Sequence, residues 1–350
     1  MRNVKRYLGV FISAVVLLTG CNAPLEEVEE TETEANKLRV VTTLFPQYDF
    51  VRQIAGNKVE VSKLLPPGVD VHSYEPTPAD IISLNEADLF IYTGAEMEPW
   101  AHRLIESVDE DINVLDVSIN VPLIPWGDAS HTHVHEEEDH EHNHEEEGHD
   151  HNHEEEGHEH NHDEENHDHN HDEECDHDHV YDPHIWTSPI NAMIMVNNIL
   201  EMLIELDPEN ETYYRENAEA YLLELEILDS DFREVVENAE RNTIFHAGRF
   251  AVHYLMYEYG INYVAAPLET EPSVALVAQM ITEIREENIP AIFHEELVTP
   301  RIAQMISEET GAKMLLLHSV HNVSNEELTN GVTYLDLMNQ NVENLRLGLN

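Results

Sequence analysis

Imidazole and carboxylate side chains, both donors to divalent metals, are concentrated unusually in this sequence. Between Asp128 and His179 stand 17 of the 25 histidines and 23 acidic residues, with no lysine or arginine. Part of the tract repeats in nine-residue steps: His142-Asn143-His144, His151-Asn152-His153, His160-Asn161-His162 and His169-Asn170-His171. Neutral imidazoles suit Zn, Cu and Ni, and the carboxylates add oxygen ligands and negative potential. Almost nothing here is apolar enough to offset the entropy of ordering, so a disordered, metal-attracting insertion is expected. Its repeated pairs should capture several ions weakly rather than define one geometry. An acidic linker with incidental histidines is the bland alternative, and seventeen imidazoles argue against it.

Eight histidines lie outside the tract. His246, His294 and His318 each end a strand-like run, Thr243–Phe245, Ala291–Phe293 and Met314–Leu317. His72 follows the run Lys58–Leu65, and His184 follows the tract. Ligands of open α/β sheets bind outside the carboxyl ends of the strands. A cleft there could gather three or four imidazoles, the number a zinc ion takes. His102 and His253 fall on helices and read as structural or surface residues. His321 could compete with His318, and Glu295 and Glu296 could give oxygen ligands or orient the imidazoles.

The elements needed to place these residues alternate along the chain. Lys37–Leu44, Lys58–Leu65, Asp88–Thr93 and Ile112–Val117 read as strands, and Phe45–Ala55, the segment after Thr77-Pro78, and Trp100–Ser107 read as helices. A second series of strands follows at Thr243–Phe245, Tyr263–Ala266, Ala291–Phe293 and Met314–Leu317. Phe250–Tyr259, Val274–Glu287 and Pro300–Thr310 are its helices. This rhythm predicts α/β architecture, two lobes each with a mostly parallel sheet flanked by helices. Pro189–Glu205 is helical, and after Asp207-Pro208 there is no glycine or proline from Glu209 to Glu240. A helix of about 30 residues, near 45 Å long, would join the lobes and leave a ligand cleft between them. The expected segments are 1–20 signal, 21–37 acidic tether, 38–127 first lobe and 128–179 loop. The remainder of the first lobe is 180–207, the linking helix 208–241 and the second lobe 242–350.

Arg2, Lys5 and Arg6 precede an apolar run from Tyr7 to Leu18, as in an export signal too short to span a membrane. Leu18-Thr19-Gly20-Cys21 resembles the lipobox of bacterial lipoproteins, which implies signal removal and lipid attachment at Cys21. Cys175 is the only other cysteine and lies in the tract, so a structural disulfide is not expected, but a thiolate could assist metal capture. Of the formal charge of −55, the tract supplies −23, leaving −32. Nucleic acid and anionic lipid are poor partners for such a surface, and cations are good ones.

Several motifs match one family: Phe45-Pro46, His72-Ser73-Tyr74-Glu75-Pro76-Thr77-Pro78, Asp88–Trp100, and Asp182-Pro183-His184-Ile185-Trp186-Thr187-Ser188-Pro189. Glu271-Pro272-Ser273 and Glu308-Glu309-Thr310-Gly311-Ala312 extend the match. The chain resembles the substrate-binding lipoproteins of bacterial zinc and manganese ABC importers, from about Leu38 to Leu349. A His-rich insertion before the second histidine motif is a feature of the zinc-type members. The resemblance implies two lobes joined by a rigid long helix, with one metal between them. It implies ligand roles for His72 and His184. Counting back from Tyr259-Gly260 to the family's third histidine falls on Arg249. His246, three residues earlier, is preferred because it follows a strand. The fourth position, usually aspartate, is matched by His318.

An all-imidazole set favours Zn over Mn, which prefers more carboxylate oxygen. The expected function is therefore zinc capture and delivery to an ABC permease by a lipid-anchored monomer. It would sit at the cell surface or the periplasmic face of the bacterial cytoplasmic membrane, with one tight cleft ion and several weaker loop ions. Affinity should fall below about pH 6 as imidazoles protonate. A manganese receptor of the same family and a metal-storing surface adhesin are alternatives. So is a zinc-dependent hydrolase, but no HExxH, GxSxG or nucleophile–base pair supports an enzyme.

Overall fold

In the computed structural model, which describes residues 37–108, 112–125, 181–266 and 272–350, the first sheet has four parallel strands. The signal, Cys21, Cys175 and the whole His-acid tract, with its repeated histidines, lie outside the described residues. Strands β1 (Leu38–Thr42), β2 (Val59–Lys63), β3 (Leu89–Tyr92) and β4 (Asn113–Asp116) run in the order β2-β1-β3-β4. β3, Leu-Phe-Ile-Tyr, is buried along its whole length, as expected of an inner parallel strand covered on both faces.

Helix α1 (Phe45–Ala55) begins with a proline in its first turn, and the Gln47 side chain accepts the Leu44 N–H. It stops at Gly56, whose φ of 54° suits glycine and whose missing Cβ makes room for the Tyr213 hydroxyl. Helices α2 (Pro78–Asn85) and α3 (Ala101–Glu106) follow; Thr77 and Asp80 form a capping box on α2.

In the second lobe β5 (Thr243–Phe245) pairs with β6 (Asn262–Val264), and β7 (Ala291–His294) with β8 (Lys313–Leu316), both in parallel. A parallel bridge between His246 and Phe293, with Ala247 N–H donating to the Phe293 carbonyl at 2.8 Å, joins the pairs. The order then reads β6-β5-β7-β8, which repeats the first lobe. Helices α6 (His253–Tyr259), α7 (Val274–Glu287) and α8 (Arg301–Thr310) connect these strands.

Helices α4 (Pro189–Leu206), α5 (Glu211–Glu237) and α10 (Tyr334–Gly348) tie the lobes together. The 27 residues of α5 extend for about 40 Å at 1.5 Å per residue. Its buried residues Tyr214, Ala218, Tyr221, Leu225, Leu228, Phe232 and Val235 alternate steps of four and three, so one stripe faces α1, α4 and α10. A single hydrophobic cluster runs along this stripe from Val40 and Ile54 to Phe293 and Leu345. α4 is long and apolar enough to cross a membrane, but its buried face packs on α5 and α1 as a core helix.

Three local expectations change. Pro208–Asn210 is a separate single turn ahead of α5. The helix expected from Phe250 starts at His253, and ahead of it the Arg249 N–H donates to the Glu295 carboxylate. His294 belongs to β7 rather than following it. Beyond β8 lie α9 (Asn325–Thr329) and α10, which the strand–helix alternation does not announce.

Candidate metal centre

Two aspartate–histidine turns carry the first-lobe candidates. Asp70 caps the single turn Val71–Ser73 and accepts the His72 N–H at 3.0 Å. Asp182 accepts the His184 N–H in the same way at 2.8 Å. In each case an aspartate side chain holds the backbone two residues ahead. His72 is exposed, whereas His184 is fully buried, and their ring centroids lie 5.6 Å apart.

His184 Nδ1 also bonds Asp182 Oδ1 at 2.8 Å, and Asp182 Oδ2 lies 3.3 Å from His253 Nδ1. Burial alone would raise the Asp182 pKa, but the His184 charge and the bonds from His184 and His253 outweigh it and hold it down. The ionised carboxylate takes the His184 Nδ1 proton as its hydrogen bond. In the neutral ring this puts the lone pair on Nε2, which is buried and without a partner. His253 is a buried member of this network rather than a surface residue; His102 is exposed on α3.

In the second lobe His246 directly follows β5, held by its N–H bond to the Val264 carbonyl at 2.9 Å. Its Nδ1 is buried and has no partner. Burial pulls its pKa down to about 4, opposed by a bond with the Gly248 backbone, so the ring is neutral at pH 7.

His318 and His321 lie on the segment that leaves β8. Glu296 accepts both the N–H of Ser319, at 3.0 Å, and its hydroxyl, and the same hydroxyl bonds His321 Nδ1. Burial would raise the Glu296 pKa, yet the nearby His318 and His321 and the Ser319 bonds bring it down to about 2. An ionised Glu296 only accepts, so the Ser319 proton goes to it and His321 Nδ1–H donates to Ser319. His321 Nε2 is thereby left as a lone-pair donor. Burial, followed by Glu296 in the opposite sense and then by His184, His72 and His318, leaves the His321 pKa near 4.

His318 is arranged differently. Its Nδ1 accepts the Val320 N–H at 2.9 Å, so a neutral ring carries its proton on the unpartnered Nε2. Val320 holds a φ of 64°, and Leu297, beside Glu296, one of 60°. Such values in bulky residues are rare and cluster at functional sites. The segment is bound to the first lobe: Phe45 N–H donates to the His321 carbonyl, Trp186 Nε1 to Ser319, and Asn322 Nδ2 to Pro66 and Val69.

His72, His246, His321, Arg249, Glu295 and Ser319 face one cavity of about 10 Å³, with Ala251, Val252 and Leu317 as its apolar wall. That is room for roughly one water-sized particle. His184 and His318 lie buried outside this wall. Among the described residues no three His, Cys, Asp or Glu side chains stand close enough to hold an ion together. The donors ring the cleft rather than meet in it. Glu295 does not point free: Arg249 N–H and Nε–H donate to its two oxygens at 3.1 and 3.3 Å, and Arg249 Nη1 donates to Asp70.

The family model described as ZnuA, zinc-uptake complex component A, periplasmic, matches residues 40–348. The chain belongs to the ZnuA family. It is 32% identical over 347 residues to the high-affinity zinc uptake system protein ZnuA of Bacillus subtilis, covering 98% of this chain and 97% of that protein. It is 29% identical to the zinc-binding protein AdcA of Streptococcus pyogenes, covering 89% of this chain but only 56% of that longer relative. A crystal structure of the metal-dependent lipoprotein YcdH from Bacillus subtilis superposes with a TM-score of 0.68 at 30% identity, covering 89% of this chain and 99% of that one. The Zn(II)-bound ZnuA-like domain of Streptococcus pneumoniae AdcA gives 0.68 at 25% identity, covering 90% and 99%.

ZnuA-family membership agrees with the two α/β lobes, and the family is one of solute-binding receptors of the extracytoplasmic space. Asp182, Ser319 and Arg249 have roles that reading residue types alone missed. For Asp182 the signal was present, since Asp-x-His occurs at both 70–72 and 182–184.

Proposed function

We propose that this chain captures one Zn²⁺ between its lobes and delivers it to the permease of an ABC importer. The observation that carries this reading is the buried, unpartnered Nδ1 of His246 in the wall of one small cavity that His72 and His321 also line, with the unpartnered Nε2 of His184 and of His318 buried outside that wall. A buried polar atom left unsatisfied costs about 1–3 kcal/mol, and a bound cation removes that cost. Zinc suits the set because neutral imidazole nitrogen is its common ligand.

His72, His184 and His246 are the proposed donors from the strand edges. For the fourth, His321 is favoured by its place in the cavity wall and by the Glu296–Ser319 relay that frees its Nε2. His318 is the alternative, and its Nδ1 is already engaged. Because the donors are not yet gathered, capture requires them to draw inward around the ion. In this reading the His-acid tract concentrates zinc nearby, with several weaker ions on its repeats, and Cys21 carries the lipid that keeps a monomer at the membrane. Protonation of His246 and His321 does not limit affinity near pH 6, since both stay neutral to about pH 4.

Calorimetry of the chain and of a version lacking 128–179 tests the proposal. The shortened protein should lose stoichiometry yet keep one tight Zn²⁺ site that binds Mn²⁺ more weakly. Equal or tighter Mn²⁺ binding at that site would refute the zinc assignment.

A further inference from the structure

The cavity wall contains a guanidinium as well as imidazoles, which is unexpected in a cation site. Arg249 occupies both carboxylates beside the histidines. Its backbone N–H takes Glu295 Oε1, its Nε–H takes Oε2, and its Nη1 reaches across to Asp70 Oδ2. Asp70 Oδ1 is already held by the His72 N–H. A third carboxylate nearby, Glu296, accepts both the backbone N–H and the hydroxyl of Ser319. The local backbone is shaped for this arrangement: a Cβ on Gly248 would lie 3.0 Å from Glu295 Oε1 and 3.4 Å from its carboxyl carbon. Glu295 therefore sits tightly against the 248–249 backbone, and a larger residue at 248 would push it away.

We propose that Arg249 is a specificity-determining residue, which withholds the oxygens of Glu295 and Asp70 from the ion and so leaves imidazole nitrogen as the available donor. This rests on the zinc-capture reading above. Carboxylate oxygen suits Mn, Mg and Ca, whereas imidazole suits Zn, Cu and Ni. Removing the guanidinium would free Glu295 Oε2 and Asp70 Oδ2 beside the histidines and shift the preference towards the oxygen-seeking metals. Lysine would not replace it, because one ammonium point charge lacks the planar fork that reaches both acids. The same residue links the second lobe to the His72 turn, so its loss should also weaken binding of every metal. The ratio of affinities separates the two effects.

The test uses the full chain titrated with Zn²⁺ and with Mn²⁺ in metal buffers, followed by tryptophan fluorescence. Trp186 lies edge-on to His184 with centroids 5.5 Å apart, which makes it a reporter of the cleft. Arg249→Met should lower the Zn/Mn affinity ratio at least tenfold, Arg249→Lys should also lower it, and Arg249→Met with Glu295→Gln should restore much of it. An unchanged ratio in a folded Arg249→Met protein overturns the proposal. Should that variant fail to fold, Glu295→Gln decides: affinities within about twofold of the parent support a withheld carboxylate, and a tenfold loss of Zn²⁺ affinity makes Glu295 a ligand and overturns it. A parent chain with no tight Zn²⁺ response refutes the zinc-capture reading itself, and this proposal with it.

Discussion

At the carboxyl edge of the first sheet, Thr43, Gln47, Thr93 and Glu98 bond one another in a closed, buried group. At the matching edge of the second sheet, His246 Nδ1 and His318 Nε2 are equally buried but find no partner, as is His184 Nε2 across the cleft. The strand orders correspond, and both edges are polar, yet one is finished and the other is not. A buried polar group is normally hydrogen-bonded, so the finished edge reads as scaffold and the unfinished one as a place awaiting a ligand. Burial alone would not distinguish them; satisfaction does.

Removing one of these buried, unpartnered donors should have the largest effect. His184→Ala is expected to lower Zn²⁺ affinity by more than about 100-fold, above the 10–100-fold usual for residues that merely orient a ligand. Competition against a chelator would measure it, and an effect below tenfold would remove His184 from the donor set. Asp182→Asn sharpens the same point, since the ring should survive but lose the acceptor that fixes its Nδ1 proton. A loss of about 10–100-fold is expected, with folding retained in circular dichroism. His321→Ala and His318→Ala then divide the fourth position: the larger loss should follow His321. The reverse ranking would mean that the Val320 bond to His318 Nδ1 gives way when metal arrives.

Much of this architecture was legible in the sequence because its signals are local. A β-branched run between a glycine and a proline, such as Val59–Lys63 between Gly56 and Pro66, reads plainly as a strand, and Val274–Glu287 is bounded by its own Ser273 cap and Asn288. His72 and His184 stood out as candidates through their motifs, and each follows an aspartate that accepts its backbone N–H. The Thr333–Asp336 capping box and the buried spacing of Tyr334, Leu337, Met338, Val342 and Leu345 also mark α10, although no strand follows to complete an alternating pattern. What residue types could not convey is pairing at a distance. Arg249 and Glu295 are 46 positions apart, and their bond occupies a carboxylate that otherwise looks available to metal. The choice between His318 and His321 likewise depends on where one serine proton goes.

The finished edge makes a prediction of its own, opposite in sign. Thr43 has one hydroxyl proton but faces two acceptors, Gln47 Oε1 at 3.0 Å and the Glu98 carboxyl. The conflict disappears when Glu98 is protonated and donates to Thr43, which then donates to Gln47. Burial pushes the Glu98 pKa up to about 8, against the Thr43 and Thr93 bonds, in agreement with a neutral acid. The folded state therefore holds a proton that the unfolded state releases above pH 4.5, and stability must fall as pH rises from there to about 8. His246 and His321 act in reverse. Their pKa values drop from 6.5 to about 4, so the unfolded chain gains protons first, and stability is lost as pH falls through that window. Glu98→Gln removes the first slope and leaves the second. In urea unfolding of metal-free protein, the variant should gain on the parent between pH 5 and pH 8 by up to about 1.4 kcal/mol per pH unit. Its Zn²⁺ affinity should not change. A stability difference independent of pH would mean that Glu98 is ionised when folded, and the first-lobe edge would then carry a buried charge of its own.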